Sequence, residues 1–307
     1  MEHFRKATEA YAKVNLLLRI VGLREDGYHL ISTVMQSISL SDTVEIDIDF
    51  SGKNKSTASH ISLSVDSAGI PSDSRNTMCR AADAYLTRIG QSGVDLRITA
   101  DKRIPVKAGL GGGSSDAAAV LRLLNEGFSG ALSREQLVGV AARVGADVPF
   151  FIDGGAALCE GVGEKITPVK AFKGLPILII KPEKGVSTPE AYAAYDREGR
   201  SFSSSIPEEP YLMDSLLAGD DEPVSGLRRI APYLYNDLTG TAIKLMPEID
   251  GILEFFKKSG CIYSAVSGSG SAVFGIFDDP KLRDRAGRDA GAFCGSGYAV
   301  FSCETIG

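Results

Sequence analysis

The sequence predicts an α+β protein of two domains. Its 307 residues exceed the usual size of one domain. Strand-like and helix-like segments follow one another without the strict alternation that is typical of a parallel α/β fold. A stretch rich in Pro, Lys and Gly over 168–182 marks a change along the chain, so we place the domains at 1–165 and 166–307.

The composition is that of a globular protein with a sizeable core. Apolar residues make up 44% of the chain and charged residues 23%. The net charge of −6 excludes a broad nucleic-acid-binding surface, because phosphate neutralisation needs a basic patch. No run reaches the roughly 18 apolar residues of a membrane span. No apolar segment follows the first residues, so we expect neither a membrane protein nor a secretory signal.

The cysteines and histidines indicate a reducing compartment. Five cysteines are scattered without a C-x-x-C pair, and the chain has only three histidines. This pattern argues against a zinc site and predicts free thiols in the cytoplasm. We assign no metal-ligating residue.

The first half opens with strands. Apolar residues alternate over 10–21, which predicts a strand with Lys13 and Asn15 together on the opposite face. Glu25-Asp26-Gly27 predicts a turn. Further strands are predicted at 43–50, 61–65 and 94–98, with a polar loop over 51–59.

Helices are interleaved with these strands. An alanine-rich pattern predicts a helix over 76–89 that ends near Gly90, and a second over 115–125 that Ser114-Ser115-Asp116 opens. Ser133 and Gln136 form a possible capping box, which predicts a helix over 137–144.

The second half gives similar signals. An apolar run at 175–180 has the length of a buried strand. The remaining elements are predicted as a helix over 243–257, a strand pair over 264–277 broken by Gly268-Ser269-Gly270, a charged helix over 280–290, a last strand over 298–303, and loops at 201–210 and 219–223.

The strongest functional signal is a glycine-rich run directly before a predicted helix. Four glycines fall in the five residues 109–113, where they remove side chains and permit positive φ. The amides and the positive dipole end of a helix start bind anions, so the run predicts a phosphate loop. Ser114 and Ser115 can add hydrogen bonds or reach a magnesium ion. The Walker A and dinucleotide patterns are absent, and the alternative is an ordinary loop with a Ser/Asp N-cap.

Asp147 and the Lys13–Asn15 pair each have two interpretations. Asp147 lies in an uncharged apolar run before Pro149, so it is either the N-cap of a short helix or the acceptor of a hydroxyl proton. Lys13 is either part of a polar outer face or a positive charge beside a transferring phosphoryl group, with Asn15 as its hydrogen-bonding partner.

Two shorter segments also leave alternatives open. Tyr28 and His29 follow the predicted turn and could stack on and hydrogen-bond a planar ring, although a lone exposed histidine usually has no such role. The segment Ser267-Gly268-Ser269-Gly270 is either a hairpin turn or a second loop that closes the site.

The run from Gly109 to Ala118 resembles the phosphate loop of the GHMP kinase superfamily. Four further segments match in order and spacing across nearly the whole chain, at 12–16, 26–30, 145–150 and 267–270. They resemble the members that phosphorylate a cytidylyl-methylerythritol. The tripeptide Asn236-Asp237-Leu238 also matches, whereas the loop-rich stretch 197–235 is longer than the family needs.

The resemblance implies a two-domain GHMP kinase fold, with an N-terminal ribosomal-protein-S5-like domain and a C-terminal ferredoxin-like domain. It implies that ATP and Mg²⁺ are used to phosphorylate the C2 hydroxyl of the cytidylyl-methylerythritol, in the non-mevalonate isoprenoid precursor pathway. We expect a monomer or a weak homodimer whose partners are ATP and this small molecule.

The resemblance also implies roles for residues of this chain. Asp147 would be the base and Lys13 would assist it. The substrate side would consist of Asn15, Tyr28, His29 and either Tyr192 or Tyr195, of which we favour Tyr192. The ATP side would consist of Asn76, Pro105, Lys107, Gly109, Leu110, Gly111, Gly112, Gly113, Ser114 and Ser115.

Two other functions are weighed against this one. A non-catalytic nucleotide-binding regulator would be expected to lack Lys13 or Asp147, and both are present. A homoserine or mevalonate kinase has no cytosine to recognise, so the Tyr28-His29 pair argues against these enzymes.

Overall fold

The structure is a computed structural model that describes residues 3–50, 59–67, 69–199, 202, 222–294 and 297–307. These residues have the predicted mixture of helices and strands. They form two compact units that interleave along the chain: unit 1 comprises Met1–Ala12, Ser41–Pro105 and Gly111–Asp153, and unit 2 comprises Lys13–Leu40, Val106–Leu110 and Gly154–Gly307. The linear boundary at residue 165 stays a prediction.

Two long strands, β1 (His3–Leu23) and β2 (His29–Asp49), contribute residues to both units. The other elements of unit 1 are β3 (His60–Val65), α1 (Thr77–Ile89), β4 (Asp95–Asp101), α2 (Gly112–Gly127), α3 (Arg134–Val144) and α4 (Phe150–Asp153). Within this unit β4 pairs antiparallel with the second half of β2 and parallel with β3. The inward residues Val44, Ile46 and Ile48 are fully buried, as their alternation predicts.

Unit 2 contains β5 (Ala156–Gly161), β6 (Lys165–Pro168), β7 (Pro176–Pro182), α5 (Thr188–Arg197), α6 (Pro223–Ile230), α7 (Thr239–Leu245), α8 (Glu248–Lys258), β8 (Tyr263–Val266), β9 (Val273–Ile276), α9 (Pro280–Cys294) and β10 (Tyr298–Glu304). Here β5 pairs antiparallel with β6 and with the first half of β2. A four-stranded antiparallel sheet has the order β10-β7-β9-β8.

Helix boundaries show where capping signals sufficed. Asn76 caps α1 by accepting a hydrogen bond from the Met78 amide, and Gly90 ends it in the left-handed conformation. The capping box of Ser133 and Gln136 is present at the start of α3. The predicted start of α2 at residue 115 was wrong. This helix begins at Gly112, because Gly111 turns the chain with a φ of 74° and no side-chain cap is needed.

Two further predictions need correction. The helix expected over 243–257 is two helices, since Pro247 lacks the amide hydrogen that would continue α7 into α8. The loop-rich stretch 197–235 also contains α6, which the sequence did not predict. The strand β2 starts at His29, 14 residues before the predicted start at residue 43. Its first half was not predicted because buried polar side chains such as Thr33 and Gln36 interrupt the apolar alternation there.

The loops expected at 51–59, 201–210 and 219–223 lie largely outside the described residues. Within the described part of the chain, no helix is long and apolar enough to cross a membrane.

Candidate active site

Gly109, at the start of the glycine-rich loop, is anchored in unit 2. Its φ is 75°, and a Cβ at this position would lie 1.9 Å from the carbonyl oxygen of Ser267, so no other residue fits. The Gly109 carbonyl accepts hydrogen bonds from Lys13 Nζ at 2.8 Å and from Ser267 Oγ at 2.9 Å. The loop is therefore fixed at its first glycine by two side chains.

The segment Ser267-Gly268-Ser269-Gly270 is a hairpin turn, and its role in closing the site stays a prediction. It connects β8 to β9, as a hairpin turn would. It also packs against the glycine loop through Ser267, and the Ala272 amide next to it donates to the Ala108 carbonyl at 3.1 Å. Asn236 also fixes the position of this segment, because its Nδ2 donates to the carbonyls of Val266 and Gly268, both at 2.8 Å.

Lys13 and Asn15 do not lie on an exposed strand face, as one of the two interpretations required. Lys13 is 3% exposed and Asn15 is 1% exposed. Lys13 Nζ donates to Asn15 Oδ1 at 2.5 Å, and Asn15 Nδ2 donates to Thr33 Oγ1 at 2.8 Å. The Thr33 hydroxyl donates to the Leu17 carbonyl at 2.6 Å. Because a buried ammonium is costly unless it is hydrogen-bonded, this chain of contacts fixes the Lys13 charge in place.

The start of α2, in unit 1, has the features of an anion site. The first amides of a helix lack acceptors within the helix, and Gly111 has no side chain with which to cap them. Gly113 is exposed and Gly112 and Ser114 are half-buried. Ser115 is buried and its hydroxyl donates to the Tyr11 carbonyl at 2.7 Å. The amides, the dipole and the Ser114 hydroxyl thus favour an anionic ligand at this helix start.

A buried ion cluster of Asp42, Lys102 and Asp116 lies beside this helix start. Lys102 Nζ contacts one carboxylate oxygen of each aspartate, and the three side chains are at most 6% exposed. Burial, together with the nearby Asp42, raises the pKa of Asp116 to about 7, although Lys102 acts in the opposite direction. Burial alone would lower the pKa of Lys102, but the two carboxylates more than offset this and raise it. The sequence gives no signal for this cluster, because its members are not adjacent along the chain.

The remaining residues expected on the ATP side have varied surroundings. The Asn76 side chain is used as the cap of α1, and its Nδ2 also donates to the Pro71 carbonyl at 2.7 Å. Lys107 is exposed with a φ of 53°, and Gly185 packs closely on it. Leu110 is buried and Pro105 is half-buried. Their contacts with ATP stay predictions.

Asp147 is half-buried in the turn over 146–149 that leads into α4. The helix begins at Phe150, so Asp147 is not adjacent to its first residue. The turn is held by the Val148 amide, which donates to the Gly145 carbonyl at 3.2 Å. Asp147 as a residue is therefore partly exposed to solvent, and its role as proton acceptor stays a prediction.

A second candidate subsite surrounds His29, the first residue of β2. Its ring stacks on Tyr192 of α5, with centroids 4.6 Å apart and an interplanar angle of 25°. Its Nε2 lies 2.7 Å from Asp196 Oδ1, while the His29 side chain is only 7% exposed. Asp196 was missed in the sequence, because nothing in its neighbourhood indicates a contact with a residue 167 positions away.

The two tyrosines of α5 differ in their surroundings. Tyr192 is half-buried and flat against His29, whereas Tyr195 is 4% exposed and meets His29 edge-on at 6.3 Å. Tyr195 belongs to a small apolar cluster with Leu18, Ile20 and Leu238. Tyr28 is 64% exposed, because adjacent residues of an extended chain face opposite sides. The structure thus brings Tyr192 beside His29 and leaves the Tyr28 ring at the surface.

Comparison with known families assigns this architecture to a class. Residues 76–155 match the family model of the GHMP kinases N terminal domain, and residues 212–296 match that of the GHMP kinases C terminal. These two matches cover more than half of the chain, so the fold and the glycine loop are those of a GHMP kinase, as the sequence predicts.

Individual relatives narrow this class. A protein of Clostridium beijerinckii is 42% identical over 272 residues, which are 88% of this chain and 90% of its own length. A protein of Desulfitobacterium hafniense is 41% identical over 298 residues, which are 97% of this chain and 94% of its own length. Both are named 4-diphosphocytidyl-2-C-methyl-D-erythritol kinase. A solved 4-(cytidine 5'-diphospho)-2C-methyl-D-erythritol kinase superposes with a TM-score of 0.73 at 32% identity, covering 98% of this chain and 100% of its own. The chain belongs to the 4-diphosphocytidyl-2-C-methyl-D-erythritol kinase family of transferases.

Proposed function

We propose that this chain transfers the γ-phosphoryl group of ATP to the C2 hydroxyl of 4-diphosphocytidyl-2-C-methyl-D-erythritol, in the non-mevalonate route to isoprenoid precursors. Family membership supports this reaction. The observation that carries it is the buried Lys13, whose ammonium is bonded to the Gly109 carbonyl of the glycine loop and to Asn15. A cation fixed to the loop itself is suited to stabilise a phosphoryl group that the loop holds.

The glycine-rich residues are proposed to hold the triphosphate. Gly111, Gly112 and Gly113 present backbone amides without side chains in front of them, and the helix dipole of α2 adds a partial positive charge. Asn76, Pro105, Lys107, Leu110 and Ser115 are proposed to complete the surroundings of ATP by family resemblance.

Asp147 is proposed as the base. Its carboxylate would accept the proton of the C2 hydroxyl while the hydroxyl oxygen bonds to the γ-phosphorus. The bond from that phosphorus to the β–γ bridging oxygen would break, and ADP would leave. Lys13 would stabilise the negative charge on the transferring group, and Asn15 would both orient Lys13 and contact the substrate.

Magnesium fits this chain as an ion that arrives with ATP. Among the described residues, no group of three or more His, Cys, Asp or Glu side chains could hold a metal. Mg²⁺ in such sites is commonly held by one or two protein ligands together with substrate phosphates, so a full protein cage is not required. The half-buried Ser114 hydroxyl is an oxygen donor of the kind that Mg²⁺ prefers, and we propose it as a ligand. The ion would neutralise phosphate charge.

His29, Tyr192 and Tyr28 are proposed to recognise cytosine. Asp196 beside Nε2 favours a proton on that nitrogen and fixes the ring plane, which leaves Nδ1 for the base. Tyr192 lies roughly parallel to the imidazole, which is the ring orientation that stacking with a planar base requires. Tyr28 is exposed and can close over a bound base without disrupting packing.

We also propose that the protein works in a reducing cytoplasm, as a monomer or weak homodimer. Cys79, Cys159, Cys261 and Cys303 form no disulfide bond. Burial raises the pKa of Cys261 to about 11 and that of Cys303 to about 12, so both resist oxidation. Sedimentation at several protein concentrations measures the oligomeric state.

The test is ADP formation with three acceptors under identical conditions: the cytidylyl substrate, homoserine and mevalonate. We expect a rate with the cytidylyl substrate that exceeds the other two by several orders of magnitude. A higher rate with homoserine or mevalonate would assign the chain to one of those activities. ATP binding without phosphorylation of any acceptor would favour a non-catalytic nucleotide-binding regulator.

A further inference from the structure

The ion cluster of Asp42, Lys102 and Asp116 lies at both ends of the phosphate loop. Asp42 is on β2, Lys102 directly follows β4 and precedes the loop, and Asp116 is on the first turns of α2 after the loop. Lys102 contacts both carboxylates, so one ammonium joins the residues that begin the loop to the helix that ends it. All three side chains are more than nine-tenths buried.

Asp42 also binds the backbone where the loop begins. Its Oδ1 accepts hydrogen bonds from the amides of Arg103 at 2.5 Å and Ile104 at 2.7 Å. Ile104 Cγ2 lies 2.9 Å from the position that a Cβ on Gly112 would occupy, so this side chain packs directly under the helix start. Residues 102–104 and the first turn of α2 are therefore held together by charge, backbone hydrogen bonds and packing.

Stability alone is a poor explanation for this cluster. Replacing a buried ion cluster by apolar side chains is often neutral or stabilising, because removing charges from water is costly. The cluster also carries two carboxylates against one ammonium, and Asp116 Oδ1 is buried without a hydrogen-bond partner among the described residues. One carboxylate oxygen of Asp42 lies 3.6 Å from the position that a Cβ on Gly112 would occupy, close to the first amides of α2. Without Lys102, this charge would repel a triphosphate.

We propose that Asp42, Lys102 and Asp116 are positioning residues for the nucleotide: Lys102 cancels carboxylate charge behind the phosphate loop, and the cluster orients the amides of Gly112 and Gly113 toward the triphosphate of ATP. This inference rests on the proposed kinase function. It assigns to these side chains an effect on ATP affinity that acts through the backbone and not through direct contact.

The experiment measures ATP binding by calorimetry, and both KM values and kcat, for the wild type, Lys102→Met and Asp42→Asn. Lys102→Met should weaken ATP binding at least about tenfold, since a displacement of about 1 Å can cost about 100-fold even when the change is remote from the chemistry. The KM for the cytidylyl substrate should stay within about twofold of the wild type, because no base contact is altered. Lys102→Arg keeps the charge and should recover most of the ATP affinity.

Tyr85→Phe is the matched control. It removes the buried hydrogen bond from Tyr85 to Asn125, 3.0 Å long, at the opposite end of α2. This variant should lower thermal stability without changing ATP affinity, so it separates general destabilisation from an effect on the loop.

If Lys102→Met does not fold, Asp42→Asn decides, because it conserves side-chain volume. This variant should weaken ATP binding about threefold to tenfold, as expected for a lost charge-assisted contact.

Asp42→Asn also separates positioning from simple charge repulsion. Removing a negative charge near a triphosphate would by itself tighten binding. The asparagine side chain keeps an oxygen for the Arg103 and Ile104 amides but loses the ionic contact with Lys102, so a positioning role predicts weaker binding. Unchanged or tighter ATP binding in folded Asp42→Asn, or wild-type affinity in folded Lys102→Met, would overturn the inference. A wild type that binds no ATP would instead overturn the proposed function.

Discussion

The start of α2 and the His29–Tyr192 stack differ in the groups that form them, which are backbone amides at the first and side-chain rings at the second. At the start of α2 the groups proposed to bind the phosphates are backbone amides, and the side chains beside them are a buried ion cluster. At the stack the groups proposed to bind cytosine are two rings, which are held by packing and by Asp196. The first arrangement depends on glycines that are adjacent in sequence, whereas the second depends on side chains that only the fold brings together.

This comparison implies that substitutions can weaken binding of ATP and of the cytidylyl substrate separately, and that the chemical step can be slowed without weakening the binding of either.

Asp147→Asn should have the largest of these effects. It keeps the shape of the side chain but removes the charge, so kcat should fall by roughly 10²–10⁴, the usual scale for loss of a general base. ATP affinity should be nearly intact. Steady-state kinetics and calorimetry check this, and near wild-type kcat would remove Asp147 from the mechanism.

The proposed cytosine site should respond to Tyr192→Ala and Tyr28→Ala. Stacking on an aromatic ring contributes roughly 1–3 kcal/mol per base, so the KM for the cytidylyl substrate should rise about 5- to 150-fold. The ATP KM should hardly move. Phe293→Ala is the control, because it removes an exposed ring that stacks on Phe255 elsewhere in unit 2.

Replacement of cytosine by uracil in the substrate tests the same role of these side chains. The uridine analogue should be a poor substrate, because groups that hydrogen-bond the amino edge of cytosine are left unpaired by uracil. Equal kcat/KM for the cytidine and uridine forms, or an equal rise in both KM values in the tyrosine variants, would contradict the cytosine role.

The sequence predicted the glycine loop because its signal is local, but it misplaced elements whose limits depend on long-range packing. Over residues 12–20 both faces of β1 are buried, so the alternation predicted that Lys13 and Asn15 share a face but not that this face lies inside the protein. The contact between His29 and Asp196 joins residues 167 positions apart, and no spacing rule predicts it. By contrast, Pro247 lies inside the helix predicted over 243–257 and is itself a local signal for the break between α7 and α8.

The phosphate site should respond to Gly113→Val. A Cβ there would meet only Thr77 Oγ1, at 3.6 Å, so the helix tolerates the side chain while the amides lose their open approach. The ATP KM should rise about tenfold, equivalent to about 1.4 kcal/mol of lost binding free energy.

Gly139→Val is the control for helix propensity, since a Cβ at that position in α3 has nothing within 4 Å. Gly112→Val is less informative, because its side chain would collide with Ile104. Equal ATP affinity in the wild type and in folded Gly113→Val would show that these amides do not bind the phosphates.

The smallest effect concerns pH. Because the pKa of Asp116 is raised to about 7, the folded chain keeps a proton that the unfolded chain releases above about pH 4. The contribution of Asp116 to the free energy of unfolding therefore decreases as pH rises from about 4 to about 7, and is constant above that range. Denaturant titrations at several pH values should show that Asp116→Asn lacks part of this decrease. Parallel pH profiles for the two proteins would mean that Asp116 ionises normally.

Identification of the product shows which hydroxyl receives the phosphoryl group. The wild-type protein is incubated with ATP, Mg²⁺ and 4-diphosphocytidyl-2-C-methyl-D-erythritol, and the product is examined by phosphorus NMR. The proposed reaction yields stoichiometric ADP and one new phosphomonoester signal without three-bond coupling to a proton, because C2 carries no hydrogen, and it leaves the cytidine diphosphate linkage intact. A phosphate at another hydroxyl, or unchanged substrate in the presence of bound ATP, would contradict it.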